Sequence, residues 1–253
     1  MMARMLRSPT LPALWFLVAF GASLVATTPA FLVDLAISKV SSERIRLLSA
    51  AGSVWDGRGL LVEQAGGRYQ PWMDLAWRIE LGEVWRGRLA IVFAVNGQQE
   101  NRIRLDPAGF ELTLAGNALP LAPLARTLPH AAARLGWSGA LRATGQLAHC
   151  DWKLACRGDL RLDLEALGLD VLPDARLGRY RLEARADGAG VALRIGSDEH
   201  SRLSANGHGE LARNGRTRGE LILGGDAELV RQIGAMTADL AQRKADGTLQ
   251  LAW

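Results

Sequence analysis

The chain has 253 residues, 49% of them apolar and 22% charged, which is ample material for a core and argues against disorder. Its 30 basic and 26 acidic residues leave a formal net charge of +4. That excess is small and spread out, with no long block of like charge, so the electrostatic footprint of a nucleic-acid binder is excluded. The basic residues are nearly all Arg, the lysines being Lys39, Lys153 and Lys244; this reads as compositional bias rather than phosphate recognition.

Arg4 and Arg7 precede a stretch from Ser8 to Val33 without a charged side chain, most apolar over "LWFLVAFGASLVA". As a helix it spans about 39 Å at about 1.5 Å per residue, against a hydrocarbon core of about 30 Å. A cleaved signal peptide competes, but Pro29 sits badly among the small residues of "ATTPAF" and the stretch is long for a signal core. The expectation is an uncleaved anchor. Residues 1–7 form a cytoplasmic tail, 8–33 a transmembrane signal anchor, and 34–253 a β-rich domain outside the cytoplasm, with Arg4 and Arg7 setting the orientation.

Beyond the anchor, Leu32, Leu35, Val40 and Leu47 recur at helical spacing, which predicts a short helix within Phe31–Leu48. From Val54 the period becomes two. "MDLAWRIEL" sets Leu75, Trp77, Ile79 and Leu81 against Asp74, Arg78 and Glu80, and "LAIVFAV" sets Leu89, Ile91, Phe93 and Val95 on one face. "NRIRL" and "FELTL" flank a turn at Asp106–Gly109. "LRATGQL", "DLRLDL", "RYRLEARA", "VALRI", "RLSANGHGEL" and "RGELIL" continue the alternation, with a hairpin turn at Asp187–Gly190. Two segments read as helical: Ala118–Leu135, broken by Pro120, Pro123 and Pro129, and Asp226–Lys244, capped by Asp226 with Arg243 and Lys244 at its C-terminal end. A last strand, "TLQLAW", follows.

About ten short strands separated by Gly, Asp and Pro predict a mainly β protein built as a large curved antiparallel sheet with a few short helices. So few helices leave one apolar face to cover, which suggests a folded trough or an open, barrel-like curl.

Cys150 and Cys156, in "CDWKLAC", are the only cysteines. Outside the cytoplasm such a pair reads as a disulfide across a tight hairpin; free thiols, and metal ligation with His149 beside them, are the alternatives. No G-x-S-x-G, phosphate loop or H-E-x-x-H occurs. His200 and His208, near Asp198 and Glu199, fit a polar hairpin end better than a metal site. The tryptophans of "YQPWMDLAW" and "GEVWRGRL" fit core or interfacial packing better than stacking on a sugar or base. The pattern predicts no catalytic residue, no metal and no cofactor.

The order of elements resembles the type II secretion system protein N (general secretion pathway protein N) family. The likeness is carried by Gly52-Ser53-Val54-Trp55-Asp56-Gly57, which matches a G-x-V-W-x-G element, then by "LAWRIEL", "WRGRLAI", "GWSGALRATG", "LGRYRLEARADGAGVALRI" and the closing "RGELILGGDAEL…ADGTLQLAW". It spans most of residues 45–253. The resemblance implies a single-pass inner-membrane subunit, with most of its chain periplasmic, of the machine that exports folded proteins across the outer membrane. It further implies no enzymatic activity, and other inner-membrane and periplasmic subunits as partners. Within this frame Gly52, Val54, Trp55 and Gly57 are structural, Trp55 being an anchoring side chain at the entry to the first long strand and the glycines places of turning or close packing. A second reading is a periplasmic lipid-binding or lipid-transfer module whose sheet has an apolar inner face. An outer-membrane barrel ending at Trp253 conflicts with the anchor and with only two Tyr and five Phe.

Overall fold

A computed structural model describes residues 10–65, 67–127, 136–153, 155–169, 176–213, 216–236 and 241–252. The chain is mainly β, with fourteen antiparallel strands among the described residues, and divides into two compact units, residues 1–79 and 80–253.

The first unit contains helices α1 (Thr10–Ala26) and α2 (Phe31–Val40) and strands β1 (Ile45–Gly52), β2 (Asp56–Ala65) and β3 (Arg68–Glu80), the last reaching the boundary. The strands form a meander with Leu47 opposite Leu61 and Asp56 opposite Arg78. Met73 and Trp77 are buried and Leu75 and Ile79 half-buried, so the predicted apolar face of this strand is the inner one. α1 is uncharged, and Leu14 to Phe20 are exposed along it. Among the described residues, no helix is long and apolar enough to cross a membrane.

The helix expected over Phe31–Leu48 stops at Val40, and a strand begins at Ile45, ahead of the Val54 at which the two-residue period was expected to start. The reversal passes through Ser42 and Glu43, both at positive φ. It is secured by the Ser41 hydroxyl, which accepts the Ile45 N–H at 3.1 Å. Two residues on, the Leu47 N–H donates to Asp34 Oδ1 at 2.7 Å. Side chains of α2 and its C-cap therefore occupy the β1 amides that do not serve β2. This blunts an edge that would otherwise template pairing with another chain.

Asp34 is the centre of that arrangement. It is buried, and Arg46 donates to it from both Nε (3.0 Å) and Nη2 (2.7 Å). The Arg46 hydrogen bond holds the Asp34 carboxyl below its ordinary range; burial opposes this and the Leu47 N–H adds to it.

The second unit holds β4 (Leu89–Val95), β5 (Asn101–Asp106), β6 (Gly109–Pro120), α3 (Leu121–Thr127), β7 (Trp137–Asp151), β8 (Cys156–Leu169), β9 (Arg176–Asp187), β10 (Gly190–Ser197), β11 (Leu203–Ala212), β12 (Thr217–Gly225), α4 (Ala227–Met236), β13 (Ala241–Arg243) and β14 (Leu249–Ala252). Sequence neighbours are sheet neighbours from β4 to β12; β14 then pairs with β12, and β13 lies outside it. The last strand does not return to the first, so this unit is an open meander and not a closed barrel. In β4 the buried positions are Ala90, Val92 and Val95, while Leu89, Ile91 and Phe93 are half-buried.

Both predicted helices of this unit are shorter than their periodicity suggests. β6 runs on to Pro120, so α3 begins only at Leu121, with Pro123 in its first turn, where a missing N–H costs nothing; residues 128–135 of the expected helix lie outside the described residues. Asp226 caps α4 as predicted, its Oδ1 accepting the N–H groups of Glu228 (3.0 Å) and Leu229 (3.3 Å). Residues 237–240 of the expected helix lie outside the described residues, and Arg243 stands in β13, paired with Leu249, rather than at a helix terminus. Ladder bonds available from β14 override the helical periodicity there.

α4 lays Leu229 and Val230 on Leu167, Leu177, Tyr180, Leu203, Leu223 and Leu249, the buried core of this unit. The Tyr180 hydroxyl donates to the Leu203 carbonyl at 2.7 Å, and burial pushes its phenol up to about 12.

Asp34→Asn removes a charge-assisted cluster and should destabilise the first unit by about 2 kcal/mol at neutral pH, read by denaturant unfolding of the detergent-extracted chain. Because the folded Asp34 carboxyl titrates below its unfolded value of about 3.9, its contribution is fully present above that pH and is lost as pH falls through the folded value. The unfolding curves of wild type and variant should therefore converge in acid.

Candidate functional site

Two surfaces carry the polar chemistry of the molecule, one in each unit. The first is built on Gly52–Gly57, the turn between β1 and β2. The Ser53 hydroxyl accepts the N–H groups of Trp55 (3.2 Å) and Asp56 (3.1 Å), and the Ser53 N–H donates to the Asp56 carbonyl at 2.8 Å. Gly52 sits at φ +92°, and a Cβ there would lie 2.4 Å from the Asp56 carbonyl oxygen. A Cβ on Gly57 would lie 2.5 Å from Trp77 Cζ2 and 2.8 Å from the Ser53 carbonyl oxygen. Both glycines are thus required by backbone and ring packing.

This turn grips the C-terminal end of α1. Trp55 Nε1 donates to the Val25 carbonyl at 2.7 Å, the Val54 N–H to the Thr28 carbonyl at 2.9 Å, and the Ala30 N–H to the Gly52 carbonyl at 3.2 Å. Trp77 Nε1 completes the clasp by donating to the Val54 carbonyl at 2.9 Å. Gly52, Val54, Trp55 and Gly57, read from the sequence as structural positions at the entry to the first long strand, stand in or beside the turn that joins β1 to β2. Trp55 is also only half-buried, because one side of it rests on a single exposed helix.

The second surface lies on the polar face of β8–β11, where a cavity of about 1120 Å³ opens. Strand register sets Arg161, Glu183, Arg194, His208 and Glu220 side by side in one row across five strands. In flanking rows Arg181 donates to Asp163 at 2.9 Å and Arg185 to Asp159 at 2.8 Å, and within β8 Arg161 donates to Asp163 at 3.0 Å. Burial raises the Asp163 carboxyl, but hydrogen bonds from Arg181 and Arg161 outweigh it and hold the group below the ordinary carboxylate range. Arg194 makes no ion pair among the described residues. Exposed pairs of this kind contribute about 0–1 kcal/mol each, so the lattice contributes less to stability than to recognition. Most charged residues of the cavity lining stand on this face, and Leu164, Tyr180, Leu193 and Ile195 also contribute to it.

Cys150 and Cys156 face each other in the β7–β8 ladder and form the disulfide, with Cα atoms 4.0 Å apart. Closing so short a loop contributes about 2 kcal/mol. His149 is exposed beside it. His200 Nδ1 lies 3.2 Å from Asp198 Oδ1 in an exposed turn, while His208 stands mid-strand opposite Arg194. Among the described residues no three His, Cys, Asp or Glu side chains converge as a metal site would require. Of the tryptophans weighed as core, Trp77 is buried and Trp72 half-buried, but Trp85 is 93% exposed.

An antiparallel meander with a charged, indented face defines a structural β-sheet protein whose chemistry lies in its surfaces. The chain matches the family described as type II secretion system (T2SS), protein N, over residues 43–252, and it belongs to that family. It is therefore a component of the type II secretion system, from a family of structural components rather than known enzymes, and membership implies other components of that machinery as partners. No curated protein and no solved structure matches the chain.

The charged row was missed at the level of sequence. "RYRLEARA" shows the alternation, but only register shows which Arg stands beside which Glu.

Gly57→Ala should destabilise the first unit by about 2 kcal/mol, since neither the Trp77 ring nor the Ser53 carbonyl can move freely. Trp55→Phe, which keeps the ring and loses the bond to Val25, should cost about 1 kcal/mol. Denaturant unfolding of the two variants checks the ordering.

Proposed function

We propose that the chain is an inner-membrane-anchored, periplasmic subunit that helps assemble or operate the type II secretion machinery by presenting its charged sheet face to other subunits. One observation carries the reading: the clasp of Gly52–Gly57 on the end of α1. It couples an uncharged helix with exposed apolar side chains, among them Trp15 and Phe16 at 69% exposure, to the first strands of the β domain. Exposed side chains of this kind are costly in water and stable in hydrocarbon. The uncharged stretch Ser8–Val33 with Arg4 and Arg7 before it supports a single pass with the N-terminus in the cytoplasm.

The β8–β11 cavity supports recognition by charge. Fixed side chains of both signs select a complementary protein surface and disfavour others. The sealed amides of β1 argue against strand addition at that edge and favour side-chain docking on the sheet face. The competing lipid-transfer reading requires an apolar trough, whereas the cavity is mixed, lined by Asp163, Glu183, Arg194 and His208 together with Leu164, Leu193 and Ile195.

A photo-crosslinking residue placed at Arg194 or His208, in cells with an assembled machine, should capture secretion subunits. Recovery of none overturns docking at this face. N-terminal sequencing of membrane-extracted protein should show a mature chain that starts before Ser8; a start beyond Ala30 overturns the anchor.

A further inference from the structure

The register of the second unit brings five of its connections to one end of the meander. Leu89 faces Leu105, so the 3-10 turn Leu81–Arg86 that leads into β4 neighbours the turn Asp106–Gly109. Gly109 faces Asp151, Arg157 faces Asp187, and Gly190 faces Ala212, so the β7–β8, β9–β10 and β11–β12 turns follow in a row. Side chains tie the tips together. Trp152 Nε1 donates to the Pro107 carbonyl at 3.0 Å, and Arg213 pairs with Asp151 at 3.5 Å. Successive tips are two strands, about 10 Å, apart, and the Arg213–Asp151 pair, which skips the β9–β10 tip, shows that the row curves.

This end differs from the rest of the unit in two respects. Among the described residues, every large hydrophobic side chain that is exposed in the unit lies here: Leu81 (46%), Val84 (47%), Trp85 (93%), Trp152 (59%) and Leu211 (39%). Charge is sorted as well. The turn carboxylates face inward onto backbone amides: Asp106 Oδ1 accepts from Ala108 and Gly109, Asp151 Oδ1 from Lys153 and Ala155, and Asp187 Oδ1 from Ala189 and Gly190. Arg86, Arg88, Lys153 and Arg157, by contrast, are exposed, and Arg86 and Arg88 make no ion pair among the described residues. Apart from the half-buried Glu83 of the 3-10 turn, the outward-facing chemistry of the rim is therefore tryptophan and aliphatic tips interleaved with cations.

We propose that this rim rests on a lipid surface bearing anionic headgroups. Indole rings favour the interfacial zone of a bilayer, where an apolar body and a polar N–H are both accommodated. Arg and Lys beside them gain about 1 kcal/mol each near an anionic surface. The Cys150–Cys156 bridge closes the hairpin that displays Trp152, which limits the conformational freedom lost on docking. The inference goes beyond the proposed subunit role and does not rest on α1, since all its residues lie in the second unit.

The test uses the full chain reconstituted in vesicles of phosphatidylcholine with phosphatidylglycerol, brominated near the headgroup. Trp85 and Trp152 should be quenched, so the Trp85→Phe/Trp152→Phe chain should lose that share of the quenching. Arg86→Gln/Arg88→Gln/Lys153→Gln, molar salt or pure phosphatidylcholine should each reduce the same share. Equal quenching of wild type and the Trp85→Phe/Trp152→Phe chain overturns the proposal, as does quenching indifferent to charge and salt. Unchanged quenching together with loss of crosslinks to a secretion subunit would show that protein covers the rim, and also overturns it. Trp15→Phe reports α1 separately, so failure of the anchor and failure of the rim are distinguishable.

Discussion

An antiparallel strand turns every second side chain to the same face, and hydrogen bonds to its neighbours on both sides fix where along the sheet each of those side chains stands. In the second unit this constraint runs from β4 to β12, interrupted by register shifts in the β6–β7, β7–β8 and β8–β9 ladders, because each strand is followed by the one it pairs with. Leu160, Leu162 and Leu164 then share one face with Leu182, Ala184 and Tyr180, while Arg161 and Asp163 share the other with Glu183 and Arg181. The core beneath α4 and the charged cavity are opposite faces of the same ladder. A slip of one residue in any pairing would exchange them, so the register protects both stability and the surface offered to partners.

An open meander has to manage its edges, and the first unit shows how this is done. Asp34 and Ser41 take the β1 amides that point away from β2, and positive φ at Ser49 adds an irregularity where the register shifts. The same unit holds the end of α1 through Trp55, Val54 and Ala30, so the turn Gly52–Gly57 joins a helix to a strand pair rather than binding a ligand. The Trp55 indole N–H adds to the bonds that Thr28 already makes to the Val25 carbonyl, and the Val54 amide takes the Thr28 carbonyl just beyond the helix. The motif is therefore intolerant of change because of what its atoms satisfy and not because of any reaction it performs.

Connections in a meander alternate between its two ends, and the ends need not be alike. Here one end of the second unit gathers the exposed tryptophans and the outward-facing cations, while its aspartates serve the turns. The charged sheet face and this rim are different kinds of surface. One has fixed charges of both signs suited to a protein, and the other has apolar tips and positive charge suited to headgroups.

The sequence by itself determined the β class, the alternation of most strands, the Asp226 cap and the Cys150–Cys156 bridge, because these rest on local periodicity, turn chemistry and spacing. Tertiary structure decided what depends on distant partners. It set Leu47 and Arg243 in strands β1 and β13 where helical spacing had been read, since ladder bonds from β2 and β14 outweigh a few residues of helical propensity. It placed the cavity on the charged face, because two-residue alternation gives the content of each face but not which one is indented. Only pairing across the sheet could align Arg161, Glu183, Arg194, His208 and Glu220, or gather Trp85 and Trp152 at one end, because register is a relation between strands that no single strand contains.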